Sequence, residues 1–158
     1  MGRSGSGKSK LLHAILGLID VNTGALANAC YNPKTGQLTG VGYASQQPVI
    51  LTASVPHIVA EGCEFIQSKI DQILKIMCLN DELFEGKTIG ERGALLSGGQ
   101  LQRLALCNAL YRSSHLLIMD EPTSALNGLL SKKIMRNIKN YCGQKNIAII
   151  CVTHDLEV

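Results

Sequence analysis

Apolar positions along the chain follow two spacings, one typical of helices and the other of buried strands. Four segments carry apolar residues three or four positions apart, which predicts helices with one buried face: 11–16, 66–77, 101–109 and 130–141. Two short continuous apolar runs predict buried strands: 116–119 and 147–152. Strands that alternate with helices predict an α/β fold, with a mostly parallel sheet flanked by helices.

Turn residues and glycines divide the rest of the chain. Between residues 20 and 46, turn signals alternate with short β-like pieces that end at 41–44, which predicts a small, reduced antiparallel region. A helical subdomain is expected at about 53–96, inserted into a single domain that spans 1–158. Ser68, three positions before Asp71, is the expected cap of its helix. Gly17 and Gly143 are the expected ends of the helices at 11–16 and 130–141.

Composition favours a folded domain that neither binds nucleic acid nor inserts into a membrane by itself. Of 158 residues, 46% are apolar and 17% charged, which is enough apolar surface for a core. The net charge is only +3, and no cluster of cations is interleaved with aromatic residues, so nucleic-acid binding is not expected. The apolar runs are shorter than the roughly 20 residues of a membrane-spanning helix. Any role at a membrane is therefore expected to depend on a partner.

The six cysteines are far apart in sequence and form no C-x-x-C pair. This spacing suggests neither a zinc site nor a disulfide framework. Reduced and mostly buried thiols in the cytosol are the expected state.

Residues 2–9, GRSGSGKS, match the phosphate-binding loop pattern G-x-x-x-x-G-K-[ST]. The glycines allow successive backbone N–H groups to surround phosphate oxygens, Lys8 would reach the β- and γ-phosphates, and the Ser9 hydroxyl would bind Mg²⁺. A flexible terminal tail, a myristoylation site and a signal peptide are alternatives for these residues, and they explain fewer of them. The candidate phosphate-binding residues are Gly2, Ser4, Gly5, Ser6, Gly7, Lys8 and Ser9.

A second glycine-containing helix start follows at Ser97, Gly98, Gly99 and Gln100. The N–H groups of a helix's first turn and the positive end of its dipole favour an anion at this point, and Ser97 adds a hydroxyl. The alternative is an ordinary serine-glycine loop before an amphipathic helix.

Polar residues follow the two predicted strands, and another lies in the loop after residue 44. Asp120 and Glu121 come directly after the apolar run 116–119, and His154 follows 147–152. Gln46 lies in the loop after 41–44. Ligands of open α/β sheets bind at the carboxyl ends of the strands, so these positions are candidates for a site. A surface glutamine and an ordinary polar histidine are the alternatives for Gln46 and His154.

In this order, the motifs resemble the nucleotide-binding domain of ABC (ATP-binding cassette) proteins, a P-loop NTPase fold. LSGGQ at 96–100 is similar to the family's signature, 116–120 to its Walker B strand and 43–48 to its Q-loop. Residues 122–127 resemble the D-loop, in which Asn127 replaces the usual aspartate. Residues 47–55 and 88–96 resemble exporter-type cassettes, the first of them particularly the multidrug-resistance-associated (C) subfamily.

The resemblance implies ATP and Mg²⁺ as cofactors and assigns roles to the candidate residues. Asp120 would hold Mg²⁺ through water, Gln46 would contact Mg²⁺ or the attacking water, and Glu121 would polarise that water. His154 would hydrogen-bond the γ-phosphate. Each ATP would lie between the P-loop of one domain and residues 97–100 of a second nucleotide-binding domain, identical or different. Transmembrane domains would be the other partners, which implies a location in the cytoplasm at the cytosolic face of a membrane.

Family members carry a strand and an adenine-stacking aromatic residue before the P-loop, whereas only Met1 precedes it here. The resemblance therefore implies an N-terminally truncated domain. The expected function is ATP binding and hydrolysis that powers transmembrane transport. One alternative is a truncated, non-hydrolysing nucleotide-binding or regulatory module, which Asn127 favours. Another is a soluble ABC ATPase without a transport role.

Overall fold

The computed structural model describes residues 7–19, 31–32, 37–79, 88–89 and 96–154. The helices among them are α1 Lys8–Ile15, α2 Val55–Val59, α3 Gln67–Ile76, α4 Gly98–Arg112 and α5 Gly128–Lys145. The strands are β1 Tyr31–Asn32, β2 Gln37–Leu38, β3 Val41–Ala44, β4 Ala53–Ser54, β5 Thr88–Ile89, β6 Leu116–Asp120 and β7 Ala148–Val152.

A parallel sheet in the order β3-β6-β7 forms the centre of the described structure. Val41 pairs with Leu116, and Leu116 pairs with Ala148, so all three strands run in the same direction. This arrangement confirms the predicted α/β fold with parallel strands and flanking helices. The assignment of 41–44 to the antiparallel region was wrong. These residues alternate between half-buried and buried and pair with the central strand β6, which places them in the main sheet.

Strand β6 is buried on both faces because helices cover both sides of the sheet. Leu116 and Ile118 pack with Leu12 of α1 on one face. Leu117 and Met119 belong to the larger core on the other face, which includes residues of α4 and α5. Full burial of one such side chain contributes about 1.5–3 kcal/mol, which explains why this strand is apolar without alternation.

Two antiparallel strand pairs lie outside the parallel sheet. β1 pairs with β2, within the stretch predicted to be antiparallel, and β4 pairs with β5. Helices α2 and α3 follow β4, and α3 buries Ile70 and Ile73 completely. The subdomain bounds of about 53–96 stay a prediction.

Strand β3 packs closely against α4 through Gly42. A Cβ atom at this position would collide with the carbonyl oxygen of Ala109. Helix α4 can therefore approach the backbone of the sheet only because residue 42 has no side chain. This contact fixes the distance between α4 and the sheet.

Helix ends agree only partly with the sequence expectations. Gly17 follows α1 with a φ of 68°, as expected for a glycine that ends a helix. The expected end of α5 at Gly143 was wrong, because the helix continues to Lys145 and ends at Asn146, whose φ is 55°. Asparagine tolerates this left-handed conformation better than most residues. The expected cap at Ser68 was also wrong, since α3 begins at Gln67 and Ser68 lies inside its first turn.

None of the helices in the described ranges has the length and apolar composition needed to cross a membrane.

Candidate functional site

A cavity of about 350 Å³ lies at the carboxyl ends of the parallel strands. Its walls come from the start of α1, the loop after β3 and the ends of β6 and β7. The cavity brings together predicted site residues that are distant in sequence: Gly7, Lys8, Ser9, Gln46, Glu121 and His154. Lys10 and Val152 are the other described residues of its lining.

The start of α1 forms the cationic wall of this cavity. Gly7 precedes the helix with a φ of 85°, which is favourable only for a residue without a Cβ atom. The first intrahelical bond is donated by Leu11 to the Gly7 carbonyl, at 2.9 Å. The N–H groups of the preceding helical residues therefore point out of the helix start, where the dipole is positive. With the ammonium groups of Lys8 and Lys10, this wall suits a phosphate.

Glu121 directly follows β6 and has an unusual backbone conformation. Its φ is 49°, a left-handed value that costs a residue with a side chain on the order of 1–3 kcal/mol. Its N–H donates to the Val152 carbonyl at 2.7 Å, one step beyond the last strand pair. The bond and the strained turn direct the carboxyl group into the cavity.

The Glu121 carboxylate contacts two other candidate residues at once. Gln46 Nε2 donates to Oε2 at 3.1 Å, and His154 Nε2 lies 2.8 Å from Oε1. The side chain of Glu121 is 20% exposed and that of His154 is 53% exposed. The glutamate is thus held in place, whereas His154 has solvent around it and room to change its partner.

Gln102 supports the Glu121 turn, a role that no motif in the sequence predicts. Its Nε2 donates to the Glu121 carbonyl at 2.9 Å and to Ser124 Oγ at 3.1 Å. Its Oε1 accepts from the N–H of Ala125 at 2.9 Å. Gln102 itself is only 3% exposed, and all three contacts are partly buried. Its signal in the sequence was a polar residue between the apolar positions Leu101 and Leu104 of a buried helix.

Asp120 is buried at the end of β6 and lies next to the cavity residue Glu121, although it does not line the cavity itself. Burial raises the pKa of Tyr43 on the neighbouring strand β3, and the negative charge of Asp120 raises it further. The carboxylate of Asp120, the hydroxyl of Ser9 and the amide oxygen of Gln46 are hard oxygen donors, the type that Mg²⁺ prefers.

Oxygen donors of this kind suit Mg²⁺, which does not require a site made entirely of protein ligands. The described ranges contain no group of three or more His, Cys, Asp or Glu residues able to hold a metal ion. Mg²⁺ needs no such group, because it usually binds one or two carboxylates together with water and substrate phosphates.

Ser97, Gly98, Gly99 and Gln100 do not line this cavity. Ser97 caps α4: its Oγ accepts from the Gln100 N–H at 3.2 Å, and its own N–H donates to Gln100 Oε1 at 2.9 Å. This reciprocal pair leaves the N–H groups of Gly98 and Gly99 at the helix start, where an anion could bind. The second predicted anion site is therefore separate from the first.

A neighbouring cavity of about 320 Å³ shares Glu121 and His154 with the first. Ser131 of α5 lines it and is 3% exposed, and its hydroxyl has no hydrogen-bond partner among the described residues. Asn127 lies just before α5, where its Oδ1 accepts from the Leu130 N–H at 2.9 Å. Asn127 thus has a structural role as a helix cap.

The remaining candidates Gly2, Ser4, Gly5 and Ser6 lie outside the described residues.

Comparison with known proteins places the chain in a family. The model of the family described as "ABC transporter" matches residues 1–124. The ATP-binding cassette transporter abc4 of Schizosaccharomyces pombe is 31% identical over 163 aligned positions, which cover 100% of this chain and 11% of that protein. ABC transporter C family member 6 of Dictyostelium discoideum is 32% identical, over an alignment that covers 97% of this chain and 11% of that protein. The multidrug resistance-like ATP-binding protein MdlA of Escherichia coli is 31% identical, over an alignment that covers 94% of this chain and 27% of that protein.

A solved structure supports the fold. The chain aligns with a bacterial Atm1-family ABC exporter with ATP bound, at a TM-score of 0.83 and 23% identity, over 99% of this chain and 29% of the other. This similarity shows that the described α/β architecture is the P-loop NTPase fold of ABC proteins. The chain spans between about a tenth and a third of the length of these relatives. From the family match over residues 1–124, the chain belongs to the ABC transporter family.

Proposed function

We propose that this chain is the nucleotide-binding domain, or part of it, of an ABC transporter that binds and hydrolyses Mg-ATP to power transmembrane transport. One observation carries the proposal: a single cavity is lined both by Lys8 and the α1 start and by Glu121 with its partner His154. The α1 start and Lys8 suit the phosphates, and Glu121 and His154 can accept or donate a proton. Family membership supports the same function.

The proposed chemistry needs mainly charge stabilisation and positioning. Lys8 and the N–H groups of α1 would bind the phosphates and balance their charge. Ser9, Asp120 and Gln46 would hold Mg²⁺, which supplies further charge neutralisation when bound. Glu121 would accept a hydrogen bond from the attacking water and orient it. His154 would donate to the γ-phosphate, and its exposed position beside the cavity would allow this exchange of partner.

A second nucleotide-binding domain, identical or different, is the proposed partner. The start of α4 at Ser97–Gln100 has N–H groups suited to an anion, but it is separate from the cavity that contains Lys8. Two such helix starts in one chain make sense if each binds a different nucleotide, with residues 97–100 of one domain closing the cavity of another. Transmembrane domains would be the further partners, and they would hold the chain in the cytoplasm at the face of a membrane.

The second candidate function is a nucleotide-binding module without hydrolysis. Asn127 favours it, because an amide stands where the family's D-loop ends in a carboxylate. Against this alternative, Asn127 caps α5 with its Oδ1, and that role needs no charge. A soluble ABC ATPase without a transport role shares the same site and would give the same result in a hydrolysis assay.

The test of hydrolysis is Glu121→Gln, which keeps the size of the side chain and removes its basicity. We expect ATP affinity to stay within about twofold and phosphate release to fall by roughly 10²–10⁴, as for loss of a general base. Glu61→Gln is the matched control, since Glu61 is exposed and does not line the cavity. Equal phosphate release by the Glu121 variant and wild type would remove Glu121 from the mechanism. ATP binding without phosphate release in the wild type would favour the non-hydrolysing module.

A further inference from the structure

A second, unrelated groove runs between α3 and α5. It consists of two adjoining cavities of about 670 and 560 Å³, which share Gln72 and Tyr141. The smaller cavity reaches Ser113 and Ile147, which lie just before β6 and β7. These are the amino ends of parallel strands, whereas the candidate nucleotide cavity is at their carboxyl ends. The groove is therefore at the opposite edge of the sheet.

The groove is strongly cationic. Lys75 lines it from α3, and Lys133 and Lys145 line it from α5. All three are exposed, and none of the described carboxylates forms an ion pair with them. Among the residues that the structure describes, no aspartate or glutamate lines either cavity. Helix α5 has five lysine and arginine residues and no acid in its sequence GLLSKKIMRNIKNYCGQK. A groove of one charge sign attracts and concentrates ligands of the other sign.

A fourth lysine has a structural role in the wall. Lys69 Nζ donates to the Tyr111 carbonyl at 2.8 Å and lies 4.3 Å from the centre of the Tyr111 ring. The cationic character available to a ligand therefore comes from Lys75, Lys133 and Lys145. Since they are distributed along both cavities, they match a row of negative charges better than one small anion.

Amide side chains give the groove the capacity to bind a polypeptide backbone. Asn137 Nδ2 donates to the Ile76 carbonyl at 2.9 Å and thereby joins the two helices that form the walls. Gln72, Asn140 and Gln144 also line the groove and are exposed. Each amide has one acceptor and two donor hydrogens, which can pair with the C=O and N–H groups of an extended chain.

We propose that this groove binds an acidic polypeptide segment in extended conformation, with glutamate or aspartate side chains at Lys75, Lys133 and Lys145. Nucleic acid fits less well, because Tyr141, the one aromatic residue in the described part of the lining, is buried and offers no stacking surface. An anionic membrane also fits less well, since none of the large apolar residues that the structure describes as exposed lines the groove.

The test measures binding of a fluorescent glutamate-rich peptide to the full chain at low ionic strength, with the matched glutamine-rich peptide for comparison. The groove variant is Lys75→Gln with Lys133→Gln. The control variant, Lys132→Gln with Lys139→Gln, removes the same charge from a part of α5 that does not line the groove. We expect the groove variant to bind the acidic peptide about tenfold more weakly and the control variant to change binding less than about threefold.

Two further measurements distinguish a loss of charge from a loss of structure. Lys75→Arg with Lys133→Arg keeps the charge and should retain binding, and circular dichroism should show that every variant is folded. Equal weakening by the groove and control variants would overturn the proposal, as would equal binding of the two peptides. Tighter binding of a single-stranded oligonucleotide or of phosphatidylserine vesicles, lost in the groove variant, would also overturn it. None of these outcomes depends on Lys8, so they concern the groove alone and not the proposed ATP site.

Discussion

The carboxylate of Glu121 and the imidazole of His154 are 2.8 Å apart, although each follows a different strand of the sheet. Strands β6 and β7 are parallel neighbours with Asp120 opposite Val152, so the residues that follow them meet at the same edge. The pairing register therefore joins a candidate base to a candidate phosphate ligand. A shift in this register would separate them.

Gln102 positions the turn at Glu121, and its removal should affect both stability and catalysis. Gln102→Ala would leave the N–H of Ala125 and the carbonyl of Glu121 without their present partner. We expect the free energy of unfolding to fall by about 1–2 kcal/mol in urea titrations, the cost of losing these partly buried hydrogen bonds. Gln100→Ala on the same helix removes only the reciprocal cap contact at Ser97 and should cost less than about 1 kcal/mol.

Phosphate release distinguishes positioning from stability alone. At a temperature where the Gln102 variant is fully folded, we expect lower turnover with little change in the KM for ATP, because Glu121 is less well oriented. Wild-type turnover in the folded variant would show that Gln102 stabilises the fold and does not position Glu121.

Substitution by alanine should change the free energy of unfolding in opposite directions at Gly42 and at Gly143. Gly42→Ala would force α4 away from β3, because the new methyl group meets the Ala109 carbonyl. We expect a loss of about 1–3 kcal/mol, or more where the backbone cannot shift. Gly143 lies in the last turn of α5 with open space where a methyl group would lie, so Gly143→Ala should stabilise by up to roughly 0.5–1 kcal/mol. Thermal unfolding of both variants measures the difference, and equal shifts would contradict the close approach of β3 and α4.

The fold was easier to predict than the details of the site, and the reason is physical. The apolar run at Leu116–Met119 is stable only where both faces of the strand are buried. Helices on both sides of a parallel sheet provide this burial. Strand β3 was harder to assign, because a short strand among turn residues has the same pattern whether its neighbour is parallel or antiparallel. The pairing partner depends on contacts distant in sequence, which the local pattern does not contain.

The same limit applies to the site. Motif spacing indicated Lys8, Gln46, Glu121 and His154, and the structure brings these side chains to one cavity. Gln102 had no comparable signal, because its role depends on the turn it contacts across the core. The end of α5 at Asn146 was missed because a glycine was available three residues earlier, and glycine is the commoner helix terminator.

Buried thiols should make the chain less stable at alkaline pH. Burial raises the pKa of Cys142 from 9.0 to about 11 and raises that of Cys107 further. Unfolding therefore releases protons above pH 9.0, and the stability due to the neutral thiol decreases as the pH rises towards 11. We expect Cys142→Ala to show a smaller loss of unfolding free energy between about pH 8 and pH 10.5 than wild type does. Parallel pH profiles for the two proteins would show that the Cys142 thiol does not contribute.

The proposed ATP site depends above all on Lys8 and the α1 start, which would bind the phosphates of Mg-ATP. Isothermal titration calorimetry of the full chain tests this binding, with Lys8→Ala and, as a control, Lys133→Ala, which removes the same charge at the opposite edge of the sheet. We expect measurable Mg-ATP binding by wild type and by the control, and at least about a tenfold loss of affinity in Lys8→Ala. Equal Mg-ATP affinity of Lys8→Ala and wild type would show that Lys8 does not bind the phosphates.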